Sequence, residues 1–128
     1  MVSSIYAGML ALLIVWLSLN VIKLRRANKV KLGDGGVPLL QCAIRAHANA
    51  TEYIPITLIL LIILELNGAN RVFVHFGGIA IAIGRVLHAK GLLSDSLPHR
   101  VLGMQFTLFT IIGLALSNMG YAIYKQLG

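Results

Sequence analysis

The chain has 128 residues, of which 58% are hydrophobic and only 12% charged, and its mean hydropathy is +0.85. That balance excludes a disordered chain and an ordinary soluble domain. A net charge of +7 raises nucleic-acid binding, but the cations gather where apolar runs end, which is how a membrane protein retains its basic loops on one side.

Four apolar runs are each long enough to cross a hydrocarbon core of about 30 Å. The first covers residues 4–22, with Tyr6 and Trp16 as interface anchors. No basic segment precedes it, and a basic cluster rather than a small-residue cleavage site follows it, so it reads as a retained helix and not a signal peptide. That cluster is Lys23, Arg25, Arg26, Lys29 and Lys31. Gly33, Asp34, Gly35, Gly36 and Pro38 form a turn-rich break, and a second span follows over residues 39–66. Pro55 within it predicts a kink that neighbouring helices absorb. A Gly68-Ala69-Asn70 turn leads to a third span over residues 72–93. Ser94, Asp95, Ser96 and Pro98 open the fourth, residues 98–124. The predicted architecture is one all-α domain over residues 1–128, the protomer of an integral membrane four-helix bundle. The first loop carries five Lys and Arg and the Arg85–Arg100 stretch three, against Arg71 and Lys125 on the other side. The positive-inside rule therefore predicts both long loops in the cytoplasm and both termini outside.

Small residues recur at helical spacing in the last two spans: Gly77, Ala80 and Gly84, then Gly113, Ser117 and Gly120. Such stripes predict close helix contacts in lipid. They form no phosphate loop, and no nucleotide-binding signature is present.

The second span begins with polar residues that lipid disfavours. At about 100° per residue, Arg45, Asn49 and Glu52 fall within one narrow helical face. Ionisable groups at membrane depth cost a few kcal/mol or more, so this face should point into the bundle or into a subunit interface. Two readings stand side by side. In one, Arg45 and Glu52 form a structural pair and Asn49 an interhelical hydrogen bond. In the other, the face binds a ligand, because Arg85 and His88, then Lys90, His99 and Arg100, bring further cations to the same end. A small anion that also carries an ammonium group suits such a site, since guanidinium groups hold carboxylates in bidentate fashion and Glu52 answers a positive charge.

The remaining groups carry less. His47 lies opposite Arg45 and reads as a packing histidine. His75 and Glu65 read as residues of the outer interface, His75 solvated. The lone cysteine, Cys42, excludes an intramolecular disulfide and a multi-cysteine metal site. The histidines show no metal-ligand spacing, and the carboxylates are too few for a di-iron bundle.

Taken together, these residues resemble the MAPEG family, the membrane-associated proteins of eicosanoid and glutathione metabolism. The resemblance spans most of the chain. It rests on Arg25 and Arg26 after the first span, on the run Arg45-Ala46-His47-Ala48-Asn49-Ala50-Thr51-Glu52-Tyr53-Ile54-Pro55, and on Gly84, Arg85, His88 and Gly91. The RxxxNxxEY element is the most specific.

The resemblance implies a homotrimer that binds glutathione as co-substrate between adjacent subunits, in a site opening toward the cytoplasm. It implies contacts from Arg45, Asn49, Glu52, Tyr53 and Arg85, with Arg25 or Arg26 at the mouth. The arginine that stabilises the thiolate in better-known members corresponds most nearly to Arg100, with His99 the competing residue. Where eukaryotic members have tyrosines on the third helix, this chain has His88 and Leu92, so two contacts differ. The pattern is closest to the small bacterial members, which implies an inner membrane and does not imply an eicosanoid product.

The expected activity is therefore that of a glutathione transferase or peroxidase, of the detoxification kind, acting on a lipophilic small molecule that arrives with the membrane lipids. The alternative is a catalytically silent protein of the same fold that binds a lipid or small anion. A transporter fits less well, because the intramembrane charges gather at one end and no inverted repeat is visible.

Overall fold

The computed structural model describes all residues 1–128. They form four helices: α1 (Ser3–Asn28), α2 (Pro38–Leu66), α3 (Arg71–Leu93) and α4 (Leu97–Leu127). All four are long and apolar enough to cross a membrane. Each predicted span falls within one of these helices, but α1 runs six residues beyond the predicted end at 22, through Lys23, Arg25 and Arg26, and α4 runs three beyond 124. Long basic side chains are good helix formers, and cations in a last turn offset the carbonyl end of the helix dipole. Lys29, in the left-handed region at φ 55°, closes the helix, its N–H returning to the Arg25 carbonyl.

The connections are short and self-satisfied. Arg25 Nη1 donates to the Gly33 carbonyl at 2.7 Å, and the Gly36 N–H donates to Asp34 Oδ1 at 2.9 Å. Asn70 caps α3 by accepting the Val72 N–H at 2.8 Å. Pro38 and Pro98 stand in the first turns of α2 and α4, where a missing N–H costs nothing. Helix α2 continues unbroken through Pro55.

Cross-helix bonds fix an up-down-up-down bundle. Glu65, at the end of α2, reaches the first turn of α1, where Val2 and Ser3 donate their backbone N–H groups to its two carboxylate oxygens. It is thus a capping residue for another helix and not simply an interfacial one. Tyr6 on α1 and His75 on α3 share a hydrogen bond of 2.6 Å between the hydroxyl and Nδ1, which makes α1 and α3 parallel. The expectation of a solvated His75 is corrected by this bond and by the edge-to-face contact of the two rings at 5.7 Å.

Glycines set the closeness of α3 and α4. A Cβ at Gly91 would collide with the backbone of Arg100, and one at Gly103 with the backbone of His88. Gly84 packs against Phe106 and Thr107, as the stripe on α3 predicted. The stripe on α4 does otherwise: Gly113 and Gly120 face open space, so that side of α4 has no partner within the chain.

The interior is thin. Only 26 of 128 residues are buried, whereas Ile5, Met9, Leu12, Trp16 and Leu19 form an exposed apolar stripe on α1. Stable bundles with apolar exteriors belong in lipid or against other apolar helices.

Candidate functional site

Arg85 is the centre of the site. It stands on the inward face of α3 and is 1% exposed, the largest fully buried side chain in the chain. Helix periodicity puts it one turn from Ile81 and from His88, both buried. Its Nη2 donates to Asn49 Oδ1 of α2 at 2.5 Å and its Nη1 to Thr107 Oγ1 of α4 at 3.3 Å. Its guanidinium carbon lies 5.6 Å from the centre of the Tyr53 ring, a cation–π arrangement.

His88, one turn further along α3 and also buried, places Nδ1 at 3.4 Å from Arg85 Nη2. A guanidinium only donates, so Nδ1 must accept, and a neutral His88 then carries its proton on Nε2. Arg85 thereby sets His88 as an N–H donor toward its far side.

The guanidinium has no carboxylate partner. Its neighbours are an amide, a hydroxyl, an imidazole and an aromatic face, and Nε is buried with no hydrogen-bond partner at all. Burying a cation without an anion is costly. Glu52 acts on Arg85 electrostatically but is exposed on the outer side of α2, as is Arg45. Arg45, Arg85 and Arg100, from three different helices, all act electrostatically on His88. The charge of Arg85 is thus left unneutralised among neutral neighbours.

The predicted residues divide accordingly. Asn49, Tyr53, Arg85 and His88 come together inside the bundle. Arg45 and Glu52 share the predicted face of α2, but in the single chain that face looks outward, with only Asn49 turned to α3. Arg26 is exposed in the last turn of α1, and its neighbour Arg25 holds the loop at Gly33. Arg100 is exposed in the first turn of α4, where the contact with Gly91 fixes its backbone. His99 is engaged with Ser96 Oγ through Nδ1 at 2.6 Å.

Thr107 was missed. It is fully buried, its hydroxyl donates to the Gly103 carbonyl at 2.8 Å, and its oxygen then accepts from Arg85. A hydroxyl inside an apolar run is commonplace, since it can bond its own helix; its position four residues after Gly103, on the same face, was the available signal.

A bundle of four helices long and apolar enough to cross a membrane, with a buried guanidinium that no carboxylate neutralises, defines a class of integral membrane protein. Residues 3–120 match the MAPEG family model, and the chain belongs to that family. It is also similar to Inner membrane protein YecN of Escherichia coli, in strains K12 and O6:H1. Identity is 41% over 121 residues, covering 94% of this chain and 92% of each relative.

Proposed function

We propose that the protein is a membrane glutathione transferase or peroxidase, binding glutathione between subunits of a homotrimer on the cytoplasmic side of a bacterial inner membrane. The observation that carries this reading is Arg85: a buried cation with an unpartnered Nε and no carboxylate among its contacts. The residues present fit the tripeptide. Arg45 and Arg85 offer guanidinium groups to its carboxylates, Glu52 answers its ammonium, and Asn49, Tyr53 and the Nε2–H of His88 complete the polar wall. Arg26 stands at the mouth. The outward turn of Arg45 and Glu52 on α2 supports a site closed by a second subunit, since neither residue belongs against lipid.

Glutathione supplies the thiol whose ionised form attacks the lipophilic electrophile or hydroperoxide. A free thiol with a pKa of about 8.5 is only a few per cent ionised at neutral pH. The Arg100 guanidinium, in the first turn of α4, holds the sulfur as its anion and lowers that pKa. The close α3–α4 contact keeps Arg100 in register with His88. The apolar helix surfaces admit a substrate from the bilayer, which accounts for a membrane-embedded enzyme.

The deciding experiment is a glutathione titration of the detergent-purified protein followed by ultraviolet absorbance. The reading predicts saturable growth of a thiolate band near 240 nm, followed by conjugation when an aryl halide is added. Saturable binding without the band would leave a fold that binds but does not activate the thiol, and no binding would remove glutathione from the account.

A further inference from the structure

A second feature lies outside the arginine site. The parallel helices α1 and α3 leave between them a cleft of about 270 Å³. Its walls are Leu13 and Trp16 from α1 and Val86, Ala89 and Leu93 from α3, and Lys90 stands at its rim. Ser94, the other polar residue there, is occupied, its hydroxyl donating to the Lys90 carbonyl. Lys23 lies seven residues beyond Trp16, two turns on along the same face of α1. Both lysines are exposed and neither forms a salt bridge.

We propose that this cleft is a binding site for one anionic phospholipid, with an acyl chain between α1 and α3 and the phosphate held by Lys90 and Lys23.

Charge complementarity selects this occupant. A second apolar helix laid in the cleft would cover Trp16 and Leu13 but leave Lys90 against hydrocarbon without an anion, which lipid penalises. A soluble anion would satisfy the lysines and leave the aromatic and aliphatic walls unused. A glycerophospholipid is apolar along its chains and anionic at its head, as the site is apolar along its walls and cationic at its rim. The helix rise puts Lys23 about 10 Å past Trp16 toward the water, and tryptophan itself favours the border between acyl chain and headgroup. Cations placed just beyond a membrane segment attract anionic headgroups. The site is independent of the glutathione reading, because none of its residues forms a hydrogen bond with Arg85 or is among those proposed to hold the tripeptide.

The chain's single tryptophan lines the cleft and is 55% exposed, so its fluorescence reports occupancy. Purified full-length protein in mixed micelles is titrated with phosphatidylglycerol or phosphatidylcholine, each carrying brominated acyl chains that quench tryptophan on contact. Half-quenching is expected at a several-fold lower mole fraction of phosphatidylglycerol, with each lysine accounting for about fivefold or less of the preference. Lys23→Gln with Lys90→Gln should bring the two lipids together. Val86→Phe, which narrows the cleft without altering charge, should weaken quenching by phosphatidylglycerol. Equal quenching of the unaltered protein by both lipids, a preference that survives loss of both lysines, or a Val86→Phe protein that is quenched as before would each overturn the proposal. Insensitivity to either lipid would mean that another copy of the chain covers the cleft, and would overturn it too.

Discussion

Arg85 Nη2 donates to Asn49 Oδ1 across the α2–α3 contact at 2.5 Å, and this bond ties the one fully buried cation to the most distinctive polar element of the chain. Asn49 does for Arg85 what no carboxylate does, since it supplies an acceptor without neutralising the charge. The guanidinium therefore keeps an unneutralised charge within the chain.

The first prediction follows from that arrangement. Asn49→Leu removes an acceptor from a buried charged donor and should cost about 1–3 kcal/mol, more than a neutral bond would. Arg85→Met combined with Asn49→Leu removes donor and acceptor together and should recover much of the loss. Thermal unfolding of the detergent-solubilised variants measures both. Glutathione binding should nevertheless fail in the double variant, which separates support of the fold from capture of a ligand.

The glycines give a second, opposed pair. Gly103→Ala drives a Cβ into the backbone of His88, where neither chain can yield without separating α3 from α4. A loss of about 1–3 kcal/mol is expected from overpacking. Gly113→Ala meets open space and should leave the protomer unchanged or stabilise it by up to about 1 kcal/mol through helix propensity. Comparable destabilisation by both substitutions, read from the same unfolding curves, would show that the open face of α4 is packed in the assembled protein.

A third concerns the entry of α1. Glu65 accepts the Ser3 N–H at 2.8 Å and also takes that of Val2, placing a carboxylate at the positive end of the helix dipole. Glu65→Ala should free those amides at a cost of about 1 kcal/mol. Hydrogen exchange read residue by residue should quicken in the first turn of α1 and remain unchanged around Arg85, at the other end of the bundle. Glu65→Gln should keep part of the protection, because the amide oxygen still accepts.

These relationships differ in how far the sequence discloses them. The four spans were legible because twenty apolar residues in a row have few alternatives, and the loops because Gly33, Asp34, Gly68 and Asn70 are turn residues with local reasons. The face bearing Arg45, Asn49 and Glu52 was legible from helix periodicity, but its orientation was not. Periodicity fixes which residues share a face and leaves open which helix that face meets, so Asn49 finds Arg85 while Arg45 and Glu52 turn outward. Glu65 gave no local sign of its role because its partners lie at the far end of the chain. The two glycine stripes looked alike for the same reason: a small residue is a close contact only if a neighbour fills the space, as Phe106 and Thr107 do at Gly84 and nothing does at Gly113.

Under the proposed glutathione chemistry, either Arg100 or His99 would meet the thiol, and variants of the two decide between them. The His99 ring is tied through Nδ1 to Ser96 Oγ at 2.6 Å, so it serves the start of α4 and is restrained from turning toward a ligand. The Arg100 guanidinium has no hydrogen bond to another residue of the chain, while its backbone is fixed by contact with Gly91. Arg100→Ala should therefore abolish the thiolate band near 240 nm and leave glutathione bound through Arg45, Asn49 and Arg85, so that affinity measured by calorimetry falls less than the absorbance does. Arg100→Lys should restore part of the band, because a positive charge returns without the planar fork. His99→Ala should retain the band and lower only thermal stability. Loss of the band in His99→Ala with its retention in Arg100→Ala would reverse the assignment, giving thiol stabilisation to the imidazole.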